Sequence, residues 1–404
     1  MPRYSFLVYA VFIAIAVSCT GIDHAEQARE IHTQVLTLDS HTDTPLLLGR
    51  DGFDIGQVND PGNRGGQIDF PRMKEGGLDA AFFAVFLSQG ERSPDAHLEA
   101  KERAINIFGQ IHQAIEQYPE MAGLALTSDD AYRLREEGKL AVYIGLENGY
   151  PIGRELSLTD EFYDLGARYI TLSHSRNNDI CDSSTDPSGE EHGGLSEFGT
   201  EVVKRMNSLG MMVDVSHISD KAFYDVLEVT SYPVIASHSN AKALCDHPRN
   251  LDDKMLLALK ENGGVIQVCV LSAYVKTPAP NPPRDAAIQE VRDRYNNFTD
   301  LSDEEMEKAR EAWYSVNEQY PQQLATVADL VDHIDHIVNL IGIDHVGIGT
   351  DFDGGGSLDD LRDVTQLGNI TLELVKRGYS KEEIEKIWAG NFIRVFREVE
   401  RARL

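Results

Sequence analysis

Apolar and polar positions alternate along the chain in blocks, with short apolar runs separated by stretches that carry apolar residues three and four positions apart. Eight short apolar runs lie at 35–43, 78–87, 140–146, 169–172, 211–215, 233–236, 264–270 and 345–350. Helix-length segments lie among them at 23–33, 94–118, 196–209, 220–229 and 252–262. Buried strands that alternate with helices are typical of a parallel sheet with crossover helices, and eight repeats predict a (β/α)8 TIM-type barrel.

Metal-capable or titratable residues end six of these eight runs. They are His41 with Asp43, Glu147, His174, His217, His238 and Asp351. The carboxyl ends of barrel strands share one face, which is where barrel enzymes place their active sites. Six such ends on the same side indicate one shared site, because six independent coincidences are improbable. Period-2 alternation also places His41 and Asp43 on the same side of the first strand.

Histidine and carboxylate side chains suit Zn²⁺ or a similar divalent ion. Two ions in one site need an anionic bridge that screens their repulsion, and Glu147 is the candidate. One ion would take His41, Asp43 and Glu147, and the other would take Glu147, His217 and His238. Each ion then keeps an open position, as catalytic sites do. A water bridging them would be acidified to a pKa of about 7 and give hydroxide at neutral pH.

Composition and charge exclude several classes of partner. The 404 residues include 66 acidic and 37 basic side chains, and the formal net charge is −29. Such a surface repels nucleic acid and anionic membranes, so neither is expected as a partner. Hydrophobic residues make up 42% of the chain, which excludes disorder over most of its length.

The first residues resemble a targeting segment. Arg3 precedes an apolar run that is too short to span a bilayer comfortably, and small residues stand before Cys19. This pattern predicts a signal peptide at 1–19 with lipidation of Cys19, and an exported protein, periplasmic or at the cell surface. An ordinary signal peptide with a chance cysteine stays open. Three cysteines remain, Cys181, Cys245 and Cys269, and this odd number predicts no full disulfide framework. Cys269 lies in an apolar run and is expected to pack in the core.

A single domain is expected from 23 to 404, with an irregular insert at about 271–325 between the seventh and eighth strands. The Pro-rich stretch 277–283 predicts an extended, semi-rigid connector, and a charged helix with a capping box at Ser302 and Glu305 follows it. An insert at this place overhangs the active face. Shaping of the pocket, a homodimer contact and a surface subdomain without a role are all compatible with the sequence.

Seven motifs lie along the chain from the first strand to the last. They are Asp39-Ser-His-Thr-Asp43, Gly145-Leu-Glu-Asn148, Leu172-Ser-His174, Asp214-Val-Ser-His217, Ala236-Ser-His-Ser239, Pro248-Arg-Asn250 and Gly349-Thr-Asp-Phe-Asp-Gly354. Together they resemble the membrane (renal) dipeptidase family, zinc peptidases on an amidohydrolase-like barrel. The resemblance covers almost the whole mature chain. It implies that the five ligand candidates hold two zinc ions.

The resemblance also implies roles for three further residues. His174 matches a substrate-binding histidine that stabilises the developing oxyanion, Arg249 an arginine that binds the substrate carboxylate, and Asp351 the acid/base aspartate. The expected activity is hydrolysis of dipeptides that carry a free C-terminal carboxylate. An amidase or lactonase of small carboxylated substrates is the alternative, and a non-catalytic ligand-binding lipoprotein is the third. The polar segment 176–192 departs from the mammalian pattern, which leaves substrate choice open.

Overall fold

The computed structural model describes residues 23–60, 66–298 and 301–403. The predicted signal peptide at 1–19 and Cys19 lie outside the described residues. Among the helices that are described, none combines the length and the apolar character needed to cross a bilayer.

Parallel strands form the centre of the molecule. They are β1 (Leu38–Thr42), β2 (Ala80–Phe86), β3 (Ala122–Leu124), β4 (Leu140–Glu147), β5 (Ala167–Thr171), β6 (Met212–Asp214), β7 (Ile235–Ala236), β8 (Val265–Val268) and β9 (Val346–Ile348). Eight of them pair in the order β1-β2-β4-β5-β6-β7-β8-β9, and β3 pairs with β4 outside this path. Just beyond β9, Asp351 N donates to His41 O at 3.0 Å and Asp43 N donates to Phe352 O at 2.8 Å, which brings the last strand to the first. The predicted (β/α)8 barrel is confirmed.

Helices surround the barrel. They are α1 (His24–Gln34), α2 (Phe70–Gly76), α3 (Pro94–Gln117), α4 (Asp130–Glu136), α5 (Leu158–Asp164), α6 (Glu197–Leu209), α7 (Asp220–Val229), α8 (Asp253–Asn262), α9 (Ser272–Val275), α10 (Pro282–Arg294), α11 (Asp303–Gln319), α12 (Val327–Ile341), α13 (Gly368–Lys376), α14 (Lys381–Glu385) and α15 (Asn391–Glu400). The five helices expected from the sequence are present with ends shifted by at most one residue. Their N-caps explain this accuracy, because a side-chain oxygen accepts a first-turn N–H in each case: Asp23, Ser93, Ser196, Ser219 and Asp252.

Aromatic side chains fill the barrel interior near the start of the strands. Phe82 stacks on Tyr143 with ring centroids 4.7 Å apart, and it meets Phe392 of α15 edge-on at 5.1 Å. Phe396, one turn later, contacts Tyr143 at 5.7 Å. Helix α15 therefore closes the amino-terminal end of the barrel, and the carboxyl end stays available for the candidate site residues.

The insert between β8 and α12 contains α9, α10 and α11. The expectation of an extended connector through 283 is wrong at its end, because Pro282 and Pro283 form the first turn of α10 behind the N-cap Asn281. Proline fits there, since first-turn N–H groups have no helical partner anyway. The capping box of Ser302 and Glu305 is present at the start of α11.

Candidate active site and metal centre

Five predicted ligands converge at the carboxyl end of the barrel, around the carboxylate of Glu147. Oε1 of Glu147 lies 3.1 Å from His217 Nε2 and 3.4 Å from His238 Nε2, and Oε2 lies 3.5 Å from His41 Nε2. Asp43 Oδ2 is 3.8 Å from His41 Nε2. Glu147 ends β4 and His41 lies in β1, while the other three follow β1, β6 and β7, so strand ends distant in sequence build one cluster.

The ligand atoms form three overlapping groups, within each of which all atoms lie within 4.8 Å of one another. The groups are His41 with Glu147 and His238; Glu147 with His174 and His217; and His41 with Asp43 and Asp351. His238 lies between the two predicted ligand sets, because its Nε2 is 2.8 Å from His217 Nε2 and its ring centroid is 3.9 Å from that of His41. Glu147 belongs to two of the three groups. The assignment of ligands to two ions and the bridge by Glu147 stay predictions.

Several buried polar atoms of this cluster have no hydrogen-bond partner among the described residues. They include His41 Nε2, Asp43 Oδ1 and His217 Nδ1. An unsatisfied buried polar atom costs about 1–3 kcal/mol, so such atoms rarely gather without a ligand. A divalent ion satisfies imidazole nitrogen and carboxylate oxygen together. The donor set therefore fits a metal centre.

Electrostatics puts most of these ligands in the protonation state that metals need. Burial raises the pKa of Glu147, but the nearby histidines, His41 first, outweigh it and hold that pKa well below its usual range. Burial lowers the pKa of His217 and of His238 well below the ordinary histidine value. Burial also lowers the pKa of His41, yet Tyr169 and Glu147 outweigh it and raise that pKa well above normal. Metal binding at this one histidine must therefore displace a proton.

Asp351 stands beside the cluster in an unusual backbone conformation. Its φ is 60°, and its carbonyl oxygen accepts N–H bonds from Gly354 at 3.2 Å and Gly356 at 2.7 Å. A Cβ added at Gly354 would lie 1.9 Å from Asp43 Oδ2 and 2.3 Å from Asp351 Oδ1, so only glycine lets this loop pass the two carboxylates. Burial and the neighbouring Asp43 raise the pKa of Asp351 well above its usual range.

His174 and Arg249 line the same site. His174 Nε2 is 3.8 Å from Glu147 Oε1, and its ring packs against Phe86 at 4.7 Å. Burial lowers the pKa of His174 to about 4, so the imidazole is neutral at physiological pH.

Arg249 is a buried residue of the site and not a surface ion-pair partner. Its guanidinium donates to His238 O at 3.1 Å and to Ser239 Oγ at 3.4 Å, and it lies 5.5 Å above the Tyr274 ring. Within the described part of the chain, Arg249 Nε has no acceptor. A buried guanidinium with a spare donor is ready to receive an anion.

The family model described as membrane dipeptidase (peptidase family M19) matches residues 25–404. The chain belongs to this membrane dipeptidase family. Dipeptidase tcpJ of Claviceps purpurea is 33% identical over 395 residues, which cover 96% of this chain and 79% of that protein. Dipeptidase 3 of Mus musculus is 31% identical, covering 94% and 68%.

Solved structures agree with this assignment. The probable dipeptidase PvdM from Pseudomonas aeruginosa is 33% identical with a TM-score of 0.81, covering 94% of this chain and 99% of that one. A metallo peptidase from Rhodobacter sphaeroides, liganded with a phosphinate mimic of L-Ala-D-Ala, shares the fold with a TM-score of 0.72 at 23% identity, covering 90% and 99%. The predicted family and the predicted enzyme class, a metallopeptidase hydrolase, are confirmed.

Two groups behind the ligands of this dipeptidase escaped the sequence analysis. Tyr169 OH donates to Ser40 O at 3.2 Å and accepts from His41 Nδ1 at 2.9 Å, so the Nε2 of His41 faces the cluster without a proton once a metal binds. Ser237 Oγ likewise donates to Asp214 Oδ2 at 2.6 Å and accepts from His238 Nδ1 at 2.8 Å. Tyr169 lies far from His41 in sequence, so no local pattern predicts that contact. Ser237 directly precedes His238, but its bond to Asp214, which fixes the direction of the contact, joins two different strands.

Cys269, expected to pack in the core, is buried but belongs to the site of this dipeptidase. Its Sγ is 3.8 Å from Asp351 Oδ2, and Leu271 N donates to the sulfur at 3.4 Å. The thiol thus contacts the carboxylate that the family resemblance makes the acid/base group. Because apolar residues flank Cys269 on both sides, the sequence alone predicts a core residue there.

Replacing Tyr169 with phenylalanine is expected to weaken metal affinity about 10- to 100-fold, because His41 loses the acceptor that fixes its orientation. Competition titration with a metal-sensitive dye measures the change. Tyr143→Phe is the matched control: Tyr143 is another buried tyrosine of the barrel interior, and its hydroxyl bonds to Thr127 O at 2.9 Å away from any ligand. Equal affinities in the two variants would remove Tyr169 from the metal centre.

Proposed function

We propose that this dipeptidase hydrolyses the peptide bond of dipeptides with a free C-terminal carboxylate, using two zinc ions bridged by Glu147. The observation that carries the proposal is the cluster of His41, Asp43, Glu147, His217 and His238, with its unpartnered donor atoms, at the open end of the barrel. Bound divalent ions would polarise the scissile carbonyl and acidify the attacking water.

Asp351 would move the proton. Its carboxylate lies in one ligand-atom group with His41 and Asp43, so it stands beside the place where water is activated. Burial and Asp43 raise the pKa of Asp351. A carboxylate with a raised pKa is a better base, and its acid form can then protonate the nitrogen of the leaving amine.

His174 would stabilise the negative charge that develops on the carbonyl oxygen. Ser175 Oγ lies 2.9 Å from His174 Nδ1, and when the serine hydroxyl donates in this contact, Nε2 carries the proton towards the site. Because the pKa of His174 is lowered to about 4, the residue acts as a neutral hydrogen-bond donor and keeps its proton throughout the pH range of the reaction.

Arg249→Ala is expected to raise KM for dipeptides about 100-fold with a smaller effect on kcat, because a two-bond clamp on the terminal carboxylate is lost. Arg249→Lys keeps the charge but not the planar fork and should recover only part of the affinity. Michaelis kinetics on one dipeptide and on its C-terminal amide measure this: the amide should be a poor substrate of every variant. Unchanged kinetics in Arg249→Ala would place the carboxylate elsewhere.

A substrate panel tests the proposed function as a whole. Dipeptides, N- and C-blocked dipeptides, simple amides and lactones are assayed side by side with the zinc-loaded protein. Free dipeptides should be hydrolysed with the highest kcat/KM. A lactone or amide preferred over every dipeptide would favour another hydrolase on the same barrel, and no turnover of any compound would favour a ligand-binding protein.

Export, lipid attachment at Cys19 and a homodimer stay predictions. The first two depend on residues 1–19, outside the described chain. We propose an exported dipeptidase, periplasmic or at the cell surface, and mass spectrometry of the mature N-terminus tests it.

A further inference from the structure

The insert brings a second arginine towards the open end of the barrel. Glu307 of α11 pairs with Arg50 at 4.0 Å, and Arg50 lies on the loop that follows β1. This contact ties α11 to the loop that leads away from β1 at the carboxyl end of the barrel. Arg310 follows Glu307 by three residues and thus lies on the same face of the helix.

Arg310 is half-buried, and the described residues offer it no hydrogen bond or ion pair. Burial and the nearby Arg50 lower its pKa, while Glu307 and Asp43 raise it. An arginine stays charged in proteins, so Arg310 is a partly desolvated cation without a direct partner in the part of the chain that the structure describes. The chain has 66 acidic side chains and a net charge of −29, so carboxylates that could pair with Arg310 are abundant. A half-buried guanidinium that has no partner among the described residues, on a helix tied to the loop after β1, points to an anion that comes from outside.

The direction of a bound dipeptide follows from the two arginines. Arg249 contacts the segment after β7, whereas Arg310 lies on α11, which Glu307 ties to Arg50 on the loop after β1, three strand positions further round the barrel. A dipeptide that anchors its carboxylate on Arg249 would extend its N-terminal residue across the ligand cluster towards β1. The side chain of that residue would then point to the side of the barrel where α11 contacts the loop after β1.

We propose that Arg310, supported by Arg50, recognises an acidic side chain on the N-terminal residue of the substrate, so that the enzyme prefers Asp- or Glu-initiated dipeptides. The proposal rests on the proposed dipeptidase function and on Arg249 as the carboxylate anchor. It also assigns a role to the insert, which carries a specificity residue over the barrel.

Kinetics on Glu-Ala, Gln-Ala, Ala-Glu and Ala-Gln test the proposal, with Arg310→Gln as the variant. In the wild type, kcat/KM for Glu-Ala should exceed that for Gln-Ala about 10- to 100-fold, which is the range of one or two charge-assisted hydrogen bonds. In Arg310→Gln the two values of kcat/KM should be about equal. Arg292→Gln is the control, because Arg292 lies exposed on the same hairpin, over the Trp313 ring at 5.9 Å. That control should keep the wild-type ratio.

Three results overturn the proposal: no preference for Glu-Ala in the wild type, a preference confined to Ala-Glu, or a ratio that survives in Arg310→Gln. Calorimetric titration of the zinc-loaded protein with reduced-amide analogues of Glu-Ala and Gln-Ala, which cannot be hydrolysed, gives an answer that does not need turnover. The wild type should bind the Glu analogue at least tenfold more tightly, and Arg310→Gln should bind both equally. If no dipeptide is hydrolysed but this difference in binding appears, the proposed reaction fails and the acidic subsite stands.

Discussion

Replacing Glu147 with alanine is expected to remove both metal ions together. The carboxylate lies within 3.1–3.5 Å of His217, His238 and His41, so it is placed to bridge the two proposed ions and to offset their repulsion. Without it the histidines would hold two cations in a buried space with no bridge. Activity should fall more than about 10³-fold, since metal polarisation alone supplies several kcal/mol of transition-state stabilisation.

Metal analysis of the purified variant by mass spectrometry measures this loss. Glu191→Ala serves as the control, because Glu191 is a partly exposed carboxylate paired with Arg92 at 2.7 Å and absent from the three ligand-atom groups. The control should keep its metal content and its activity. Two ions retained in Glu147→Ala would rule out the bridge.

Asp351→Asn is expected to lower kcat about 10²- to 10⁴-fold while leaving metal content and KM close to wild type, because the amide keeps the shape but cannot exchange a proton. Asparagine also tolerates the φ of 60° at this position, so the backbone need not move. Single-turnover kinetics together with metal analysis separate a lost proton transfer from a lost ion.

Asp353→Asn is the matched control for this experiment. Asp353 also has a positive φ, of 66°, but its carboxylate accepts bonds from Thr44 Oγ1 at 2.8 Å and Gln67 N at 2.6 Å. It therefore orients the loop, and its replacement should lower thermal stability more than kcat. A full kcat in Asp351→Asn would assign the proton transfer to another group.

The sequence predicted the barrel and the five ligand candidates because both depend on local signals. Each strand is a short apolar run, and a parallel barrel places every carboxyl end on one face, so His217 and His238 could be assigned to one site without any knowledge of distance. The N-cap residues allowed the first residues of several helices to be predicted from the sequence to within one position.

Other features could not be predicted because they depend on distant contacts or on weak local patterns. Strand β3 has only three residues, Ala122–Leu124, too few to show a periodicity. The roles of Tyr169 and Cys269 follow from neighbours more than 80 positions away. Arg310 lies in a charged helix, where sequence alone cannot distinguish a solvent-facing arginine from a half-buried one.

Anomalous diffraction from crystals of the zinc-loaded protein, measured at the zinc edge, tests the shared carboxylate most directly. Two peaks should appear, each about 2.0–2.2 Å from a different oxygen of Glu147, one with His41 and Asp43 and the other with His217 and His238 as further protein ligands. A single peak, or two peaks with Glu147 bound to only one of them, would contradict the account.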